Sequence, residues 1–206
     1  PFRVDAIAKR GFDDTYSDDT TMQMITDDMS LWVVKSSTSS KFDWSYTDSH
    51  TTSSLRIHIP TLQHAFSQSW TEPKVSVRII MYSTTSLFNA ASLTATPKLV
   101  TPVVAVGVGS STQTDTLVGD ARLTITFMDV PVQSDESMAC VSWMFEDGEY
   151  GWSTSGCEID IYNSTATVKV CSCNHTGTIA ITSMSTQQTN GTKFENAESG
   201  TISIAV

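Results

Sequence analysis

The sequence predicts an all-β fold, a two-sheet antiparallel β-sandwich with a short irregular or helical segment at its N-terminus. One observation behind this is a series of segments of about five to eight residues, rich in Val, Ile, Thr and aromatics, with the apolar pattern of strands. A second is that Ser and Thr fill 59 of the 206 positions, a bias that suits exposed strand faces better than helix interiors. The third is the turn-prone stretches GVGSSTQTD, FEDGEYG, YNST and QQTNGTKFENAESG, spaced as a sandwich requires.

Residues 1–30 form an acidic segment with Asp pairs at 13–14, 18–19 and 27–28. The stretch DDTYSDDTTMQMITDDMSLW shows no clean alternation and reads as irregular or briefly helical. The sandwich is expected over 31–206, with strands in LWVVKS, KFDWSY, SLRIHI, VSVRIIMY, KLVTPVVAV, ARLTITF, MACVSWMF, CEIDIY, ATVKVCS, TIAITSM and TISIAV. TLQHAFSQSW is the best candidate for a helical turn, there is no internal repeat, and only SSTSS is locally low in complexity.

Composition bounds the function. A hydrophobic fraction of 39% in 206 residues supplies a real core. Twelve basic against 22 acidic residues give a net charge of −10, so the surface repels nucleic acid and anionic membranes. No apolar run reaches the roughly 18 residues that cross a bilayer, and a chain opening at Pro1 without a signal-like segment reads as a processed or excised soluble piece. Any membrane attachment would come through a segment absent from this chain. Sequons at Asn163, Asn174 and Asn190 agree with an extracellular or cell-surface glycoprotein, although a chain this rich in Ser and Thr produces sequons by chance.

Four cysteines, at 140, 157, 171 and 173, fall within 34 residues of an acidic, secreted-looking chain, and an even count there reads as disulfides. Zinc is the rival, with His175 as a further ligand, but structural zinc sites favour close C-x2-C pairs on turns. Here two cysteines stand apart and the other two are C-x-C in a strand pattern, so no metal or cofactor is expected. Because side chains alternate along a strand, Cys171, Cys173 and His175 share a face if the segment is extended. Three pairings of the four cysteines are possible, and spacing selects none of them.

The run C-V-S-W-M-F-E-D-G-E-Y-G-W-S-T-S-G-C from Cys140, followed after thirteen residues by C-S-C-N-H-T-G-T-I-A, resembles a known motif. It is similar to the proteolysis-site (GPS) motif that closes the autoproteolysis-inducing (GAIN) domain, β-sandwich subdomain B, of adhesion G-protein-coupled receptors and polycystins. Cys140, Trp143, Trp152, Gly156, Cys157, Cys171, Cys173 and His175 match in order, within a motif region of 140–182. Fainter likeness in VSVRIIMYSTTSLF, VTPVVAV and ARLTITFMDVPV extends the resemblance over roughly residues 55 to 185. It implies the pairing Cys140–Cys171 with Cys157–Cys173.

In that family the segment after the last cysteine reads His-Leu-Thr or His-Leu-Ser, and the chain cuts itself before the hydroxyl residue. The histidine takes the hydroxyl proton, the oxygen attacks the preceding carbonyl, and water hydrolyses the ester. The resemblance sets His175 on the base, Thr176 before the cut and Gly177 on the nucleophile, and glycine has no hydroxyl. A register slip that offered Thr176 or Thr178 instead would turn the side chain to the other face of the strand. These three positions therefore read as vestigial, with no catalytic residue and an uncleaved chain.

Other constellations carry less. The Asp pairs lack the spacing and glycine turn of a calcium loop and read as a solvated acidic face. His50, His58 and His64 show no ligand spacing, GVGSS lacks the lysine of a phosphate loop, and Trp143 and Trp152 read as core. The expectation is thus a non-enzymatic extracellular structural or adhesion module. The alternatives are a filament subunit completing a neighbour's sheet with PFRVDAIA or GTISIAV, and an autoproteolytic receptor ectodomain. Partners are other extracellular proteins, or copies of the chain, engaged through strand addition.

Overall fold

The computed structural model describes residues 21–47, 54–66, 73–83, 85–88, 98–109, 116–131, 136–146 and 149–185. Thirteen strands in two sheets make up nearly all of the regular structure among them. Sheet A contains β1 (Thr21–Ile25), β2 (Met29–Ser37), β5 (Lys74–Tyr82), β7 (Val103–Val108), β13 (Gly177–Ser185), β9 (Glu136–Glu146) and β10 (Glu149–Ser153) in that spatial order. The short β6 (Lys98–Leu99) also pairs with β13. Sheet B runs β11 (Cys157–Ile159), β12 (Lys169–Cys173), β8 (Leu123–Phe127), β4 (Ser54–Ile59) and β3 (Phe42–Thr47). Every strand pairing is antiparallel, and the fold is an all-β sandwich.

Strand parity explains the core. Alternate residues of sheet A, such as Trp32, Val77, Ile79, Val104, Val106, Ile179 and Ile181, meet Phe42, Leu55, Ile57, Leu123, Ile125 and Phe127 of sheet B between the layers. Their sequence neighbours Leu31, Val33, Ile80, Tyr82, Val103, Val141 and Ala180 form a second buried cluster with Trp152 and Phe88 on the opposite face of sheet A. The centre of sheet A is therefore buried on both faces. Sheet B turns Asp43, Ser45, Thr47 and Arg56 outward to water.

Residues 21–30, read from the sequence as irregular or helical, instead form β1 and the start of β2, with Thr21 opposite Val34 and Ile25 opposite Ser30. The alternation was there in TMQMI, where Met22 and Met24 are half-buried and Gln23 and Ile25 exposed. Methionine is not a strand-forming signal, and the flanking Asp pairs obscure it. EYGWS likewise is a strand rather than part of a turn. KLVTPVVAV divides into β6 and β7 around Thr101 and Pro102, since proline has no N–H to give a ladder. The helical turn in TLQHAFSQSW is α1 (Leu62–Ala65), a single turn. TISIAV, PFRVDAIA and the Asp pairs at 13–14 and 18–19 lie outside the described residues.

Candidate functional site

The motif residues converge where the last strand of sheet A leaves sheet B. β12 ends at Cys173, three residues (Asn174, His175 and Thr176) cross from one layer to the other, and β13 begins at Gly177. Two bridges frame this crossing. Cys140–Cys171 ties β9 in sheet A to β12 in sheet B, and Cys157–Cys173 joins cross-strand partners of β11 and β12. All four thiols are consumed, which removes the thiolates that a zinc site would need. Among the described residues no helix is long and apolar enough to cross a membrane.

The crossing is held by backbone on both sides. The Asn174 N–H donates to the Gly156 carbonyl at 2.8 Å, and the Leu117 N–H donates to the Asn174 carbonyl at 2.7 Å. Thr116 bridges to His175. Gly156 is required here for two reasons. Its φ is +72°, which L side chains rarely adopt, and a Cβ would collide with the Asn174 amide and come within 2.8 Å of His175 Cδ2.

His175 is only 4% exposed and Thr176 is fully buried. His175 Nδ1 lies 2.9 Å from the Thr176 carbonyl oxygen, while Nε2 lies 3.3 Å from the Ser155 carbonyl and 3.6 Å from Cys157 Sγ. Both ring nitrogens thus face oxygen acceptors, and a ring carrying one proton satisfies only one of the two carbonyls. A general base must instead offer a lone pair to a hydroxyl. The nitrogen nearest the Thr176 carbonyl is turned toward that oxygen and not toward a hydroxyl.

At Gly177 the backbone φ is +139°, again a region that favours glycine. Beyond it, β13 lies between two neighbours. Thr178 to Ser185 pair with Trp143 to Glu136 of β9, Gly177 to Ile179 pair with Val106 to Val104 of β7, and Thr182 and Ser183 pair with β6. A slip that brought Thr178 into the position of residue 177 would break both ladders and reverse every buried side chain of the strand.

Residues 20–187 match the sequence family described as GPS, GAIN subdomain B. The chain belongs to the GAIN subdomain B family. No curated protein sequence matches it. Among solved structures, the full extracellular region of zebrafish Gpr126/Adgrg6 is similar in fold, with a TM-score of 0.59 and 20% identity over 78% of this chain. The chain spans 23% of that region's length. Within this GAIN fold, Trp152 is buried and Trp143 half-buried, and their rings meet edge-to-face at 5.3 Å between centroids beside Phe88.

The remaining candidates are dispersed. His58 Nδ1 lies 2.6 Å from Asp43 Oδ1 on the outer face of sheet B, and Lys41 reaches the other oxygen of Asp43 at 3.1 Å. His64 is exposed on α1, and His50 falls outside the described residues. Asp27 and Asp28 are exposed in the β1–β2 turn, and no group of three metal-ligating side chains occurs among the described residues. Asn163 is exposed, Asn174 is half-buried, and Asn190 lies outside the described residues. What sequence reasoning missed is the engagement of His175 by its own chain, because the fold of the ring onto the Thr176 carbonyl has no signature in residue order.

Proposed function

We propose that this chain is a non-enzymatic extracellular module of the GAIN type, disulfide-stapled and uncleaved, which transmits load through a continuous backbone. The observation that carries this reading is Gly177. The position of the family's nucleophile has no hydroxyl and a φ of +139°, and His175 is turned onto the adjacent carbonyl. Two disulfides agree with an oxidising, extracellular compartment. A β13 covalently joined to β12 and flanked by β7 and β9 gives a strand that is pulled in shear, with its ladder bonds loaded together. Chromatography in denaturant without reductant tests this, because residues 177–206 contain no cysteine and a cut before Gly177 would release them. A single component is expected, and two would overturn the reading.

A second reading is assembly of copies by strand addition, and β10 favours it. Among the described residues this strand pairs only with β9, and its other edge meets no described strand. Beside it the exposed rings of Phe145 and Tyr150 lie 4.9 Å apart. An open edge flanked by exposed aromatics is suited to a strand from a second copy. Light scattering distinguishes the two, since assembly predicts a mass that rises with concentration and falls in a Tyr150→Lys variant. A mass fixed at one chain would eliminate it.

A further inference from the structure

We propose that Asn163 carries an N-linked glycan and that Asn174, whose sequon is equally good by sequence, carries none. The connection between β11 and β12 is a hydrogen-bonded, outward-facing turn. Asp160 Oδ1 accepts from the Tyr162 N–H at 3.0 Å and the Asn163 N–H at 3.2 Å, and Asp160 Oδ2 accepts from Asn163 Nδ2 at 2.7 Å. Downstream, Ser164 Oγ accepts from the Val170 N–H and Thr165 Oγ1 from the Val168 N–H. The turn therefore presents Asn163 and the hydroxyl residue Thr165, both exposed, in one fixed arrangement.

The same turn holds two apolar side chains in water without apparent cause. Ile161 is 71% exposed and Tyr162 is 92% exposed. A large apolar pair at the tip of an ordered turn calls for a cover. A sugar on Asn163, the residue after Tyr162, would supply one if the C–H face of its first pyranose ring packed on these side chains and took their surface from water.

Asn174 is placed oppositely. Its backbone is bonded on both sides, its side chain lies where even a methyl group on residue 156 would collide, and Thr176 of its sequon is wholly buried. Gly156 and His175 crowd that side of the crossing, and Asn174 itself is only half-exposed.

The chemistry balances with a lipid-pyrophosphate-linked oligosaccharide as donor. Nδ2 of Asn163 bonds to C1 of the first sugar, the bond from C1 to the pyrophosphate oxygen breaks, and one amide proton leaves to a base on the transferase. Nδ2 keeps its second hydrogen, which is enough to go on donating to Asp160 Oδ2.

The inference rests on the extracellular placement proposed above, and the test is arranged so that the two fail separately. The chain is secreted from a eukaryotic host behind a supplied leader, so that it meets the transferase whatever its native location. It is then released from its glycans by an amidase in heavy-oxygen water and mapped by peptide mass. Conversion of Asn163 to labelled Asp in most chains, with Asn174 unlabelled, is the expected result. Asn163→Gln and Thr165→Ala should abolish that label, while Thr165→Ser retains it and shows that the turn still folds. An unlabelled Asn163 in the secreted, disulfide-bonded chain, or a label on Asn174, overturns the assignment.

Discussion

The two sheets are built from the same residue types yet live in different surroundings. In sheet A, β5 reads KVSVRIIMY and buries Arg78, Ile79 and Ile80 consecutively, since both faces are covered. In sheet B, β8 reads LTITF and alternates buried with half-buried residues, with one face open to water. The bridge Cys140–Cys171 is the covalent link between these layers, whereas Cys157–Cys173 acts within sheet B alone. The strand that carries Gly177 belongs to the doubly covered sheet. The crossing is thus followed by a strand whose change of backbone position is poorly tolerated, because it is paired on both edges and buried.

The largest expected effect comes from charging the covered outer face of sheet A. Leu31→Asp would bury an unpaired carboxylate at a cost above about 4 kcal/mol, enough to prevent secretion of a folded chain. Ser45→Asp on the open face of sheet B, opposite Arg56, should shift stability by no more than about 0.5 kcal/mol in a denaturant titration. Equal effects at the two positions would erase the distinction between the sheets.

Removing the bridges should rank next. Replacing Cys140 and Cys171 by Ala is expected to cost about 3–4 kcal/mol, and replacing Cys157 and Cys173 about 3 kcal/mol. The inter-sheet bridge spans 31 residues and the other 16, so chain entropy separates the two by roughly 0.6 kcal/mol. The two melting transitions, compared in one buffer, check the order.

Gly177→Ser tests the crossing itself. A side chain at a φ of +139° should cost about 1–3 kcal/mol and lower the melting temperature by roughly 2–12 °C. An unchanged melting temperature would mean that the backbone there relaxes freely.

The smallest effect belongs to the open face of sheet B. The hydrogen bond from His58, and then that from Lys41, hold Asp43 below its ordinary value of 3.8. A carboxylate lowered in this way contributes stability above the ordinary value and loses it as pH falls through the lowered one. Because the group is exposed, Asp43→Asn should cost less than about 1 kcal/mol at neutral pH, and the gap to the parent should close on acidification below 3.8. A gap that stays constant with pH would show the pair to be idle.

How far the sequence reveals this molecule follows from the same division. Alternating strands such as SLRIHI and ARLTITF of sheet B are visible at once, because one face is wet and the period of two survives. β1 escapes notice because Met22 and Met24 carry weak strand preference between Asp pairs, and β10 because Gly151 and its acidic neighbours look like a turn. The missing hydroxyl at 177 is legible from one letter. The orientation of His175 and the contrast between Asn163 and Asn174 are not, since each depends on residues far apart in sequence, Ser155 and Gly156 above all.

The most direct test of the account is the intact mass of the secreted chain after enzymatic removal of its glycans, in denaturant and with reductant. A chain that cannot attack its own backbone gives one species carrying all 206 residues. A species ending at Thr176, accompanied by a second beginning at Gly177, would contradict it.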